Sequence, residues 1–201
     1  MATPQTALSV RRAMPEDRDH IATALTGAFF DDPVVVWMIP DVDRRHQVLP
    51  TMFALFADAF LPHGEVRVTG DGIGAGLWLP PGVAAVSEDD AEEFGTATAA
   101  VMGDDAPRAF ELMELMDAHH PADPSYYLQL VGVVPGWQGH GIGSALMAPV
   151  LAQCDRDQRP AYLEATSADN RRLYERHGFE VTGSFAPEGG PTLWSMWRTP
   201  R

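Results

Sequence analysis

The spacing of apolar residues in the first third of the chain predicts one strand followed by two helices. We expect the strand over residues 7–13. A proline and two acidic residues at positions 15–17 then mark a helix start, and apolar residues continue with helical spacing to Phe29. The Asp-Asp-Pro segment at residues 31–33 is expected to end this helix. The second helix is predicted over residues 43–60.

The middle of the chain is predicted to hold a strand pair and two helices. Residues 65–69 and 73–79 are strand-like, and the Gly-Asp-Gly between them is typical of a hairpin turn. The glycines in this region also suggest a nucleotide loop. Prolines rather than a helix follow them, which favours the hairpin. Residues 88–118 are predicted to be mostly helical, with a break near residues 103–107.

The last 80 residues alternate strands and helices. A near-continuous apolar run over residues 126–134 predicts a buried strand. A glycine-rich turn at residues 135–143 follows it. The remaining segments are strands at 161–166, 179–185 and 192–198 and helices at 144–153 and 169–177. The early hairpin and the later strand–helix–strand units together indicate one mixed sheet covered by helices.

Composition excludes several chemistries. The chain has 201 residues and a formal net charge of −14, and all 14 basic residues are arginines. A P-loop, a PLP enzyme and a lysine aldolase each need a lysine that this chain lacks. The acidic balance argues against binding nucleic-acid phosphates or an anionic membrane surface. It is compatible with a cationic substrate, although acidic surfaces often serve solubility alone.

Length, cysteine content and apolar runs point to a cytoplasmic protein. The length suits a single domain over residues 1–201. Cys154 is the only cysteine, lies in a predicted helix and forms no intrachain disulfide. No apolar run is long enough for a membrane span, and residues 1–12 lack the apolar stretch of a signal peptide. The histidines show no metal-ligand spacing, so we predict no metal.

The most informative segment is Gln-Gly-His-Gly-Ile-Gly at residues 138–143, which follows a buried strand and opens a helix. Glycines let the backbone turn tightly, and the amides and the positive helix end then face an anion such as a phosphate. No lysine is needed, because the donors are backbone amides. A dinucleotide fingerprint fits less well, because its third glycine position holds Ser144 and the loop lies two-thirds along the chain.

Two motifs in the last 80 residues resemble those of the GCN5-related N-acetyltransferases (GNAT). Residues 130–143 are similar to the family's motif A, with its Gln/Arg-x-x-Gly-x-Gly/Ala pattern. Residues 170–179 are similar to its Asn…Leu-Tyr…Gly-Phe segment. His119-x-Pro121, Pro124, residues 163–167 and residues 189–197 also resemble the puromycin N-acetyltransferase branch.

The resemblance implies a fold. We expect the α/β (α+β mixed) GNAT fold, with a central mixed, mostly antiparallel sheet of about seven strands flanked by helices. We expect the sheet to be splayed between the fourth and fifth strands, where the cofactor acetyl-CoA would pair with the strand end.

The resemblance also implies cofactor-binding residues. Loop amides would hold the pyrophosphate, Gln138 would fix the loop, and the amide of Val133 would polarise the thioester carbonyl. The family's cofactor-binding asparagine lies seven residues before its tyrosine, where this chain has Ser167, so Ser167 and Asn170 both stay candidates. The full predicted set is Val131, Gly132, Val133, Gln138, Gly139, His140, Gly141, Ile142, Gly143, Ser144, Ser167 and Asn170.

Two catalytic residues are predicted. Tyr174 matches the tyrosine with which these enzymes protonate the leaving thiolate, and the alternative is a tyrosine packed in the core. Glu164 lies in a buried strand, with Leu163 and Ala165 directed to the opposite face. It would take a proton from the substrate ammonium, directly or through water. The alternatives are a structural hydrogen-bond acceptor and a group that orients the substrate.

The acceptor site is expected from the first helices and the loop between them. Aromatic and acidic residues there would suit an amine on an apolar body. The candidates are Phe29, Phe30, Asp31, Asp32 and Trp37, together with Met38. Most of these aromatic residues would equally suit the core.

The sequence thus predicts an N-acetyltransferase that moves acetyl from acetyl-CoA to a primary amine of a small molecule by direct attack. An aminonucleoside-type antibiotic is one candidate acceptor. The alternatives are a non-catalytic sensor of acyl-CoA with the same fold and a peptide N-terminal acetyltransferase. The sequence leaves the acceptor open, and the protein is expected to be a monomer or a homodimer.

Overall fold

The computed structural model describes residues 9–201, and its seven strands form one mixed sheet. Positions 7 and 8 of the predicted first strand lie outside the described residues. The spatial order of the strands is β1-β2-β3-β4-β5-β7-β6. The strands are β1 (Val10–Arg12), β2 (Val66–Thr69), β3 (Gly74–Leu79), β4 (Tyr126–Val133), β5 (Ala161–Ala165), β6 (Glu180–Phe185) and β7 (Leu193–Arg198). Only β4 and β5 run parallel; the other neighbours are antiparallel. The predicted fold class is confirmed.

Seven α-helices cover the described part of the sheet. They are α1 (Arg18–Phe29), α2 (Pro33–Met38), α3 (Val42–Phe60), α4 (Ala91–Met102), α5 (Ala106–His119), α6 (Ile142–Asp157) and α7 (Ala168–Arg176). Short 3₁₀ turns precede α1 and α5 and follow α3. Within the described residues, no helix has the length and apolar character needed to cross a membrane.

The prediction was wrong for α2, which the sequence analysis did not contain. The Asp-Pro step was interpreted only as the end of α1, but it also starts the next helix. The Asp32 carboxylate accepts a hydrogen bond from the Val34 amide at 2.9 Å, as an N-cap does, and Pro33 occupies the first helical position. A proline is tolerated there because that amide has no partner within the helix.

The sheet splits between β4 and β5. The two strands pair only from Tyr126 to Leu128, while β4 continues to Val133 along β3. The opposite edge of β4 is therefore open beyond Leu128. Gln129 is an extra residue in β4, because Leu77 pairs with Leu130 and Trp78 with Leu128. Such a bulge bends the strand and strengthens its twist, which suits the start of the split.

Apolar residues fill both faces of the sheet. One core lies beneath α1 to α5 and includes Leu25, Phe53 and Tyr162. The other lies beneath α6 and α7 and includes Leu163 and Tyr174. Successive residues of β5 thus alternate between the two cores, as their spacing in the sequence predicted.

The packing of α1 on β4 requires a glycine. A Cβ atom at Gly132 would lie 2.7 Å from the Cβ of Ala28 and 3.1 Å from the ring of Phe29. These distances are too short for a side chain, so Gly132 allows α1 to reach the strand. The open edge of β4 thereby lies beside the end of α1 and the turn into α2.

Candidate active site

The glycine loop between β4 and α6 has the conformation expected of an anion site. Gly139 and Gly141 have φ angles of +77° and +80°, which side-chain-bearing residues rarely adopt. Gly141 is the N-cap of α6 and supplies no side chain to the helix amides. The first-turn amides therefore stay available to a ligand, and the positive end of a 16-residue helix adds to their attraction for an anion.

Gln138 connects the loop to the open strand end. Its Nε2 donates to the carbonyl oxygen of Val133 at 3.1 Å. The Val134 amide donates to the carbonyl of Ile73, just before β3, and amides alternate along a strand. The Val133 amide therefore points toward the split, where the sequence analysis expected a donor to the thioester carbonyl.

A cleft of about 470 Å³ runs from this loop to α7. It contains most of the predicted cofactor residues. They are Val131, Gly132, Val133, Gln138, Gly139, Gly141, Ile142, Gly143, Ser144 and Asn170. The structure places His140 and Ser167 outside this lining. The imidazole of His140 is exposed, and its Nδ1 lies 2.8 Å from the carbonyl oxygen of Gln138.

The cleft also contains residues that the sequence analysis missed. Trp137 is 51% exposed at its mouth, and Arg176 at the end of α7 supplies a cation. A guanidinium suits phosphate recognition, and this one compensates locally for the acidic chain. The position of Arg176, two residues after Tyr174, did not mark it as a ligand-binding residue, because α7 contains several arginines.

Ser167 and Asn170, the two remaining cofactor candidates, differ in position. Ser167 is the N-cap of α7, and its Oγ accepts from the Asn170 amide at 3.2 Å. The Asn170 side chain lines the cleft and donates to Thr166 Oγ1 at 3.3 Å. The geometry thus favours Asn170 as a ligand-facing group and gives Ser167 a capping role.

A second cavity of about 140 Å³ lies between the sheet and α3, α4 and α5. We call it the apolar chamber. It meets the cleft at the split, because five residues line both. These residues are Phe29, Asp32, Val131, Asn170 and Tyr174. A group bound in the chamber would thus face the strand end where the cofactor is expected.

Glu164 enters the chamber from β5. Its Oε2 accepts a hydrogen bond from the Tyr127 hydroxyl at 2.8 Å. Its Oε1 is buried and has no hydrogen-bond partner among residues 9–201. Burial raises the pKa of this carboxyl from 4.5 to about 7. A buried acceptor without a partner is costly, so this oxygen is suited to a donor that arrives with a ligand.

Tyr174 lies on the other side of the split. It projects from α7, is 7% exposed and lines both cavities. Burial, followed by the nearby charge of Asp32, raises the pKa of its phenol. The hydroxyl is therefore protonated at neutral pH, as a general acid must be.

Asp32 lines both cavities and also holds the end of α1 and the start of α2 in place. One oxygen caps α2, and the other accepts from the Thr166 hydroxyl at 2.6 Å. This bond connects residues 134 positions apart and holds the α1–α2 turn against the end of β5. Burial raises the pKa of the Asp32 carboxyl.

The structure places only part of the predicted acceptor set in the lining of the chamber. Phe29, Asp32 and Met38 line the chamber, whereas Phe30, Asp31 and Trp37 do not. The Phe30 ring packs in a tilted arrangement against His46, with 4.4 Å between the ring centroids. Trp37 packs beneath Arg108, and Asp31 is exposed. Side chains from α3, α4 and α5 form much of the chamber wall, and their helical spacing is the same as that of ordinary core residues.

Cys154 lies in α6, outside both cavities. It is fully buried, and burial raises the pKa of its thiol to about 12. It is thus poorly suited to carry an acetyl group, which favours direct transfer. Within residues 9–201, no group of three histidine, cysteine or acidic side chains is placed to hold a metal ion.

Comparison with known proteins decides the family. Residues 80–181 match the family model of the acetyltransferase (GNAT) domain, just over half of the chain. The protein belongs to the GNAT acetyltransferase family. The superfamily resemblance seen in the sequence is thereby confirmed.

Individual relatives agree with this assignment. An uncharacterised N-acetyltransferase of Schizosaccharomyces pombe is 28% identical over 86% of this chain and 74% of its own. A crystal structure from Corynebacterium glutamicum, described as a histone acetyltransferase and related acetyltransferase, is 28% identical with a TM-score of 0.71. That match covers 96% of this chain and 97% of the other. Arylalkylamine N-acetyltransferase 2 of Aedes aegypti has the same fold at 16% identity, with a TM-score of 0.71 and coverage of 98% and 100%.

Proposed function

We propose that this acetyltransferase moves an acetyl group from acetyl-CoA to a primary amine of a small molecule by direct attack. One observation carries the proposal. The cleft at the glycine loop and the apolar chamber meet at the β4–β5 split, with Glu164 on one side and Tyr174 on the other. The split is therefore the point at which a donor in the cleft and an acceptor in the chamber would come together.

The residues of the cleft fit coenzyme A. Its phosphates would lie on the amides of residues 139–144 and beside Arg176. Its pantetheine amides would pair with the open edge of β4, which has backbone groups free on the side of the split. When bound, the cofactor supplies the acetyl thioester.

The side chains then have distinct roles. Ionised Glu164 accepts a proton from the acceptor's ammonium group, because the amine must be neutral to attack. The Val133 amide donates a hydrogen bond to the carbonyl oxygen as negative charge develops on it. Tyr174 would give its phenolic proton to the sulfur as the N–C bond forms and the C–S bond breaks, and the second proton lost by the amine nitrogen would return to the phenolate.

Tyr174→Phe tests this proposal. We expect kcat to fall at least about tenfold while the dissociation constant of acetyl-CoA changes less than about twofold, because the acid acts only in the transition state. Thiol release across a panel of primary amines measures turnover, and calorimetry measures cofactor binding. The panel includes puromycin, because the resemblance to that branch makes it a candidate acceptor.

Tyr126→Phe is the matched control. The Tyr126 hydroxyl donates to Asp157 at 2.7 Å and lines neither cavity, so kcat should stay near the wild-type value. Unchanged turnover in Tyr174→Phe with a good acceptor contradicts the acid role. Tight acetyl-CoA binding without thiol release for any amine would instead support the sensor alternative.

A further inference from the structure

The walls of the apolar chamber select what can enter it. Five methionines from four helices line the chamber, together with phenylalanine rings of α1, α3 and α4 and several aliphatic side chains. The methionines are Met38, Met52, Met102, Met113 and Met116. Thioether side chains are flexible and polarizable, so they adapt to apolar groups of different shape.

Charged groups in the chamber are confined to one end. Asp32 and Glu164 are its only ionisable carboxylates among the described residues, and both lie at the split. The wall formed by α3, α4 and α5 contains Thr98 as its only polar side chain. An ammonium group at the split therefore meets two acidic side chains, whereas a second ammonium deeper in the chamber would be buried without a partner.

The size of the chamber matches a small ligand body. Its volume of about 140 Å³ is close to that of cavities of ~150 Å³ that admit benzene. It is well below the ~300 Å³ at which pockets for drug-sized molecules begin. One ring, or an aliphatic chain of similar bulk, thus fills the chamber itself. A longer body would extend past Phe56, Phe94 and Met113 into an adjoining cavity of about 770 Å³.

From this arrangement we propose that the acceptor is a primary monoamine on an uncharged apolar body of about one ring. Its amine lies at Glu164 and its body fills the chamber. Diamines and polyamines are poor acceptors. The proposal rests on the proposed function for the reaction, but it specifies the ligand of the chamber independently of turnover.

A panel of amines tests the proposed acceptor class in two ways. The panel consists of 2-phenylethylamine, hexylamine, ethylamine, putrescine and spermidine. With acetyl-CoA, we expect kcat/KM for 2-phenylethylamine to exceed that for putrescine by at least about 100-fold, because the second ammonium has no partner. With the enzyme saturated by CoA, calorimetry should detect binding of 2-phenylethylamine and hexylamine but not of putrescine. Putrescine within tenfold of 2-phenylethylamine in either measurement overturns the proposal.

These two measurements separate the two proposals. Selective binding of apolar amines without acetylation supports the acceptor class and contradicts the enzymatic function. Acetylation that favours polyamines supports the function and overturns the class.

Filling the chamber provides an internal test. Thr98→Phe places a ring in the wall of α4, and the ratio of kcat/KM for 2-phenylethylamine to that for ethylamine should fall at least about tenfold. Thr96→Phe is the matched control, because Thr96 is exposed on the same helix. Ala109→Leu fills the chamber from α5 and serves if Thr98→Phe does not fold. An unchanged ratio in a folded chamber variant overturns the proposal.

Discussion

Replacing Glu164 by glutamine should make the protein more stable at alkaline pH than the wild type. The pKa of this carboxyl is about 7 in the folded protein, against 4.5 for its ordinary value. Below pH 4.5 the group is neutral in both the folded and unfolded states and has no pH-linked effect. Between pH 4.5 and pH 7 the carboxyl keeps its proton in the folded state but loses it in the unfolded state, so the free energy of unfolding falls as pH rises. Above pH 7 the carboxyl is ionised in both states, and the full cost of burying its charge remains.

The magnitude follows from the two pKa values. Full ionisation of the buried carboxylate costs roughly 3 kcal/mol of unfolding free energy. Between pH 5.5 and pH 8.5 the cost grows by about 2 kcal/mol. Glutamine has no charge to desolvate, and its amide oxygen retains an acceptor for the Tyr127 hydroxyl.

Urea unfolding followed by tryptophan fluorescence at the two pH values measures this effect. The stability of Glu164→Gln relative to the wild type should rise by about 2 kcal/mol from the lower to the higher pH. Glu92→Gln is the control, because Glu92 is exposed on α4. A stability difference that is equal at both pH values would refute the reasoning. In Glu164→Gln, the fall of kcat/KM on the acidic side of pH 7 should also disappear from the pH profile.

The remaining predictions concern packing, an ion pair and the loop. Gly132→Ala should lower the unfolding free energy by about 1–3 kcal/mol in urea, because α1 leaves no room for its methyl group, whereas Gly95→Ala in open space on α4 should not. Asp155→Asn should lower the free energy of unfolding by about 1.5–3 kcal/mol at pH 7, because the carboxylate accepts hydrogen bonds from the buried Arg198 at 2.8 and 2.9 Å. The ion pair lowers the pKa of Asp155, so the stability difference between the variant and the wild type should shrink as pH falls below 3.8. A stability difference that stays constant with pH would contradict the pairing. Gln138→Ala should weaken acetyl-CoA binding about fivefold in calorimetry, and an unchanged affinity would exclude its role in holding the loop.

The order of strands and helices could be predicted because it depends on neighbouring residues. Helical spacing predicted α3, the Gly-Asp-Gly turn predicted the β2–β3 hairpin, and the apolar run predicted β4. The glycine loop was also predictable, since positive φ angles and a free helix end are local properties. The exception was α2, because the same Asp-Pro step both ends one helix and starts the next.

The set of residues that meet in the candidate active site was less predictable, because contacts between distant parts of the chain bring them together. Asp32 meets Thr166 across 134 positions, and Tyr127 meets Glu164 across 37. No sequence spacing indicates either contact. Nothing local distinguishes the chamber-facing residues of α4 and α5 from ordinary core, since both have the same apolar spacing.

The sequence by itself determined the fold, the family and the loop that is expected to hold the cofactor phosphates. Only the tertiary structure decided how the split sheet joins the cleft to the apolar chamber. It also decided that Glu164 lies there with one oxygen unpaired. The physical reason is that backbone geometry follows from residues a few positions apart, whereas burial and pKa depend on elements that meet only in the folded chain.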